Sequence, residues 1–208
     1  MNWKTKQRIG YVLVTIVFAI IVLVHIWQPG IPVLSVKEME EKLGRRIGKV
    51  LDPQARITFL HLDGFGASRK FRYAIISYRL PADEQLHTVS LYVDGTGKSF
   101  DGVPRSSAGD GVYEDGLLLT EMDFKGVSDN LWRIHEELKE EGKEWMGVAE
   151  YIVRLDPESR DFVHETKVYY EIGPTLLKWV SEYYLGVTPS QSLTYTIRDN
   201  GTGPLELK

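Results

Sequence analysis

The sequence predicts an α+β protein in which a single N-terminal transmembrane helix precedes antiparallel sheets, each packed by a helix. Three observations carry that prediction. An apolar run, uncharged apart from His25, occupies Ile9–Trp27. Two helix-patterned stretches are each followed by strand-like alternation, and both strand series close on similar Asp/Gly turns. The expected organisation is a cytoplasmic tail over 1–8, a transmembrane helix over 9–27, a first α+β unit over 31–102, a linker and bridging strand over 103–124, and a second α+β unit over 125–208.

Ile9–Trp27 has about the 20 residues that a helix needs to cross a hydrocarbon core. Lipid offers no hydrogen-bond partners, so a helix that satisfies its own backbone is the expected form. Gln28-Pro29-Gly30 stops it, and Tyr11 and Trp27 stand where aromatic rings favour the interface. Lys4, Lys6 and Arg8 precede the run, and the next basic residue is Lys37. The positive-inside rule then places Met1–Arg8 in the cytoplasm and the chain from about residue 30 outside. A cleaved signal peptide is the competing reading, but this run is longer than such cores and Val24–Gln28 offers no small-x-small site.

The 208 residues carry 29 acidic and 25 basic side chains, a net charge of −4 that gives no basic footprint for nucleic acid. Cysteine is absent, so disulfides, thiolate zinc sites and thiol catalysis are all excluded.

Ser35-Val36-Lys37-Glu38 has the spacing of a capping box opening a first helix. Val36, Met39, Leu43, Ile47 and Val50 recur on one face, and Asp52-Pro53 ends the pattern. Strands are expected over Arg56–Leu62, Lys70–Leu80 and His87–Val93, the last closed by Asp94-Gly95-Thr96-Gly97. A bridging strand, Leu117–Phe124, leads to a second helix over Ser128–Glu141, with Leu131, Ile134 and Leu138 inward and Gly142 as its left-handed stop. Gly147–Leu155 and Phe162–Ile172 read as strands about an Asp156-Pro157 turn. Residues 175–185 fit a helical face and also a strand, and Leu193–Ile197 is a final strand before Asn200-Gly201-Thr202-Gly203. The repeated order suggests two related α-β-β-β units.

The first unit, with its helix, antiparallel strands and Val93-Asp94-Gly95-Thr96-Gly97-Lys98 turn, resembles a PepSY-type domain. That resemblance covers about a third of the chain. It implies an extracytoplasmic domain that restrains peptidases or senses envelope signals, and it brings no catalytic residues.

Motifs for chemistry fail on spacing. Gly95-Thr96-Gly97-Lys98-Ser99 has Tyr92 where a phosphate loop needs its first glycine. Gly64-Phe65-Gly66-Ala67 lacks the third glycine of a dinucleotide fingerprint. Asp94, Thr96, Asp101 and Asp110 lack EF-hand spacing. His25, His61, His87, His135 and His164 form no metal-spaced pair, although His61 and His87 would meet if their strands were neighbours. No catalytic residue, metal or cofactor is assigned.

What remains is an expectation of binding. Most of the aromatics of the second half, Trp132 and Trp145 among them, are expected in the core. Adjacent pairs cannot both be buried on one face, so Tyr169, Tyr170, Trp179, Tyr183 and Tyr184 form the candidate interaction surface. The expected function is a membrane-anchored, extracytoplasmic, non-catalytic interaction domain: a regulator, sensor or assembly component of a bacterial envelope. It would contact the membrane through Ile9–Trp27, bind an envelope protein partner and not nucleic acid. The alternatives are an envelope hydrolase with an unrecognised carboxylate pair, or a scaffold subunit of a secretion or conjugation apparatus.

Overall fold

The computed structural model describes residues 15–16, 30–81, 83–93, 105–107, 115–171 and 190–208. Eleven strands are described: β1 Ile31–Pro32, β2 Arg56–Ser68, β3 Lys70–Phe71, β4 Tyr73–Leu80, β5 Asp83–Tyr92, β6 Arg105–Ser107, β7 Leu117–Leu118, β8 Glu144–Leu155, β9 Phe162–Glu171, β10 Ser190–Ile197 and β11 Glu206–Leu207. Two helical segments pack on them. The first, α1, joins Val36–Glu38, a π-helical stretch Met39–Leu43 and Gly44–Ile47; the second, α2, is Phe124–Glu140.

The expectation of a fold headed by a transmembrane helix is corrected. Among the described residues no helix is long and apolar enough to cross a membrane. Of Ile9–Trp27 only Thr15 and Ile16 are described, both helical, and the rest of that expectation lies outside the described residues. Length and apolarity measure composition, and they place no helix by themselves. The described helices are of another kind: α1 is short, and α2 has one buried stripe and one polar face.

The expectation of separate sheets is corrected as well. A nine-stranded antiparallel sheet runs β11-β10-β9-β8-β2-β4-β5-β6, with β7 added beside β2. The seam is β2 against β8, where Leu60 lies opposite Val153 and Leu62 opposite Tyr151. Each half is a helix, three long strands and a short fourth, ordered outward from that seam. Alternation decides which face each residue takes. Leu60, Leu62, Ala74, Ile76, Val89, Leu91, Tyr151 and Val153 are buried, whereas Phe59, His61, Ile75, Ser90, Ile152 and Arg154 stay half-buried on the other face.

The first capping box is half formed. Ser35 Oγ accepts from Glu38 N at 3.4 Å, but the Glu38 carboxylate turns to Lys42 at 2.8 Å. Ser35 N donates instead to Pro32 O at 3.2 Å. Met39, Leu43 and Ile47 are buried as expected, whereas Val50 lies beyond the helix end and is exposed. The second helix begins four residues earlier than its sequence pattern suggests. Asp123 caps it, Oδ1 accepting from Gly126 N at 2.8 Å. Of the expected bridging strand only Leu117–Leu118 pairs; Leu119–Glu121 is a 3₁₀ turn. The C-terminus is as expected: Gly142, φ +70°, follows the last turn, and Lys143 N donates to Leu138 O at 2.8 Å.

Candidate functional site

Displacing the second helix's start from Ser128 frees that side chain for another task. Ser128 is fully buried, and its Oγ donates to Val33 O at 3.1 Å. One turn along, Trp132 Nε1 donates to Leu34 O at 2.9 Å, while Val33 N donates to Arg69 O at 3.0 Å. Together with the Ile31–Phe71 pairing, these bonds pin residues 31–34 as a strap across the end of the sheet. Ser128→Ala should leave the buried Val33 carbonyl without its partner. The expected cost is about 1–3 kcal/mol in denaturant unfolding, with faster amide exchange at Val33–Ser35.

Under the strap lies a cavity of about 350 Å³ lined by Pro32, Val33, Leu34, Arg69, His135 and Trp145. That volume falls within the range of small-ligand sites. The His135 ring stands edge-on to Trp132 at 5.4 Å and to Trp145 at 5.6 Å, and of the three rings His135 and Trp145 line the cavity. Arg69 donates Nη2 to Trp145 O at 3.1 Å, which fixes the guanidinium at the cavity, and it has no acidic partner among the described residues.

Two of the six lining side chains carry buried ring nitrogens without a hydrogen-bond partner, Trp145 Nε1 and His135 Nδ1. Trp145 is only 4% exposed. His61 Nε2 shares that condition, but it has a carboxylate, Glu150 Oε2, at 3.2 Å. Leaving a buried polar group unpaired costs about 1–3 kcal/mol. Both nitrogens lack accessible surface, so they sit in the packing behind the cavity wall and do not open into it.

A second polar cluster provides the contrast. Arg133 Nη1 donates to Asn130 Oδ1 at 3.0 Å, which sets the orientation of the amide. Asn130 Nδ2 then donates to Gly201 O at 2.9 Å and to Tyr151 OH at 3.1 Å. Burial raises the Tyr151 hydroxyl well above the ordinary tyrosine range, so it keeps its proton. That proton goes to His164 Nδ1, 2.8 Å away, and neutral His164 therefore carries its own on Nε2. Burial holds the imidazole down at about 4, with Asp123 opposing slightly. Beside it lies a cavity of only about 80 Å³, with Glu121, Asp123 and Asn200 in its lining. From Arg133 through Asn130 and Tyr151 to His164 Nδ1 each bond has its partner, so the network is explained by the turn that it holds.

Tyr169 and Tyr170 are neighbours on β9, half-buried on opposite faces. Lys167 Nζ lies 5.8 Å from the Tyr169 ring centre, and Lys143 Nζ lies 5.0 Å from that of Tyr170, whose hydroxyl also bonds Gln191. Trp179, Tyr183 and Tyr184 lie outside the described residues, as does the 175–185 segment. His61 and His87 do not meet, because β4 lies between their strands; His87 stacks on Tyr78 at 5.4 Å. Among the described residues no three His, Asp or Glu side chains gather as a metal site. The cavity under the strap was missed in the sequence, where Trp132 and Trp145 read as core. The i, i+3 placement of Trp132 and His135 on one helix face was its available signal.

Comparison of the chain with protein-family models, with curated proteins and with solved structures finds no significant match. The PepSY-type resemblance is neither strengthened nor weakened by that result, and Asp94–Lys98 of its turn lies outside the described residues.

Proposed function

We propose that this chain is a non-catalytic binding module whose recognition site is the cavity bounded by the 31–34 strap, α2 and β8. One observation carries the reading: a cavity of ligand size, walled by the aliphatic side chains of the strap and by His135 and Trp145, with Arg69 in its lining. The strap is tied by three hydrogen bonds before any ligand arrives. Its occupant therefore enters a site whose ordering cost is already met.

The hydrolase alternative needs a pair of carboxylates free to exchange protons with a substrate. The two that share the smaller cavity, Glu121 and Asp123, both have structural work. Glu121 Oε2 accepts from Leu118 N at 2.8 Å, and Asp123 caps α2. A binding role also agrees with the aromatic wall, since indole and imidazole faces supply contact area at low entropic cost.

A fragment screen followed by amide and indole NMR on the full chain tests this reading. The expected result is that hits cluster their shifts on Val33, Leu34, Arg69, His135 and Trp145. Hits confined to Glu121, Asp123 and His164, or none at the strap from a broad library, would overturn it.

A further inference from the structure

Resting on that binding-module reading, we infer that the cavity takes a small, uncharged apolar molecule. The strap that roofs it has its backbone acceptors engaged. Pro32 O accepts from Ser35 N at 3.2 Å, Val33 O from Ser128 Oγ at 3.1 Å and Leu34 O from Trp132 Nε1 at 2.9 Å. On the donor side, Pro32 has no N–H, and Val33 N is spent on Arg69 O at 3.0 Å. On β8, Trp145 O is taken by Arg69 Nη2 at 3.1 Å.

The side chains add little polarity to that backbone. None of the six lining residues is a carboxylate, an amide or a hydroxyl. Trp145 Nε1 and His135 Nδ1 lack accessible surface, so they offer a ligand nothing. His135 Nε2 lies 4.0 Å from the exposed Glu136 carboxylate, and Arg69 is an exposed side chain whose charge stays in water at the rim. A charged or strongly polar ligand would give up its hydration for groups already paired. An apolar one has no such hydration to lose and gains contact with Pro32, Val33, Leu34 and the two rings.

Volume and the same hydrogen bonds separate a free molecule from a polypeptide. A cavity of about 350 Å³ stands at the small end of ligand sites. A peptide that delivered an apolar side chain there would bring its own N–H and C=O groups against the strap, and each of them needs a partner. Strand addition supplies such partners only at a free edge. Here β1 already pairs with β3, and the carbonyls of residues 32–34 are all spoken for. The occupant is therefore a free molecule whose own surface is hydrocarbon, a compact aromatic or branched aliphatic one.

The test titrates the full chain with ethylbenzene, 2-phenylethanol, 2-phenylethylammonium and phenylacetate, which share one ring and differ in what the short arm carries. The methyl resonances of Val33 and Leu34 and the ring protons of Trp145 report occupancy. Ethylbenzene should bind most tightly, the alcohol less so, and each ion at least about tenfold more weakly than ethylbenzene. Leu34→Phe, which narrows the cavity and keeps the carbonyl held by Trp132, should lose ethylbenzene binding, with thermal unfolding to show that the variant is folded. The ligand series on the unaltered chain decides the matter by itself if it is not. An alcohol or ion that binds at the strap as tightly as ethylbenzene would overturn the inference and leave the binding-module reading intact. So would unchanged ethylbenzene binding in folded Leu34→Phe. A leucine peptide, acetylated and amidated, that displaces ethylbenzene at lower concentration would assign the site to a polypeptide and overturn the choice of a free molecule. Silence at the strap from all four ligands, where a broad fragment library finds other hits there, would overturn the ligand class alone.

Discussion

Replacing Gly201 with alanine is expected to cost about 3 kcal/mol of folding stability, roughly three times the cost of the same change at Gly142. Both glycines adopt left-handed backbone, φ +82° at Gly201 and +70° at Gly142, so conformational strain of about 1 kcal/mol is common to the two. Their surroundings differ. A Cβ at Gly142 would meet nothing within 4 Å, whereas at Gly201 it would lie 2.5 Å from His164 Cε1 and 2.7 Å from Nδ1. The ring has no easy retreat, because Nδ1 is tied to Tyr151, Tyr151 to Asn130, and Asn130 to the carbonyl of Gly201 itself. Any shift that relieves the clash breaks a buried hydrogen bond. Urea unfolding of the two variants measures the difference, and equal losses would show that the ring moves freely. His164→Ala in the same chain should remove most of the excess, giving a coupling between the two positions well above that of distant sites.

The residues in this argument show how much of the fold was legible. Asn200-Gly201-Thr202-Gly203 was readable as a turn because its residue types favour left-handed backbone. That Gly201 closes over a histidine of β9 was not, because the packing joins positions 37 residues apart in the sequence. Strands and some of their inward residues followed from alternation, and Val89, Leu91, Tyr151 and Val153 are buried accordingly, whereas β4 buries Ala74 and Ile76 and leaves the more conspicuous Tyr73 and Ile75 half-buried. The joining of both halves across β2 and β8 had no local signal, since either strand could equally have been a sheet edge. Helix ends were read where an attractive cap stood, at Ser128, although Asp123 supplies the cap. The cavity under the strap was the least legible feature. Its lining comes from four separate segments, and only tertiary pairing brings Arg69 beside Trp145. An unpaired indole nitrogen is a property of the packed chain, and nothing in the residue's sequence neighbours announces it.

Acidification should weaken the fold by about 3 kcal/mol between neutral pH and pH 4 through His164 alone. Its imidazole titrates at about 4 in the folded chain against the ordinary 6.5, chiefly because burial disfavours the charged form. The sign follows from which state binds the proton. Above 6.5 neither state is protonated at this residue and its neutral form stabilises the fold in full. As pH falls toward 4 the unfolded chain takes up a proton that the folded chain refuses, so stability declines throughout that window. Protonation also sets His164 against its own network. Nδ1 accepts from Tyr151, whose hydroxyl is committed by the amide of Asn130, and an imidazolium has no acceptor to offer there. Asp156 is held below the ordinary carboxylate range by the backbone N–H groups of Glu158 and Ser159, and at Glu165 burial, which raises it, is outweighed by Arg154 and Lys208; both lose their contributions from the ordinary carboxylate range downward, at the acid end of the His164 window and below it. His164→Gln keeps an acceptor for Tyr151 and cannot titrate. It should start less stable at pH 7 yet lose little between 6.5 and 4, so the two unfolding curves converge on acidification. Parallel curves for the two proteins would place the acid sensitivity elsewhere, and a histidine resonance in the Nδ1–H form would contradict the donor order inferred for the network.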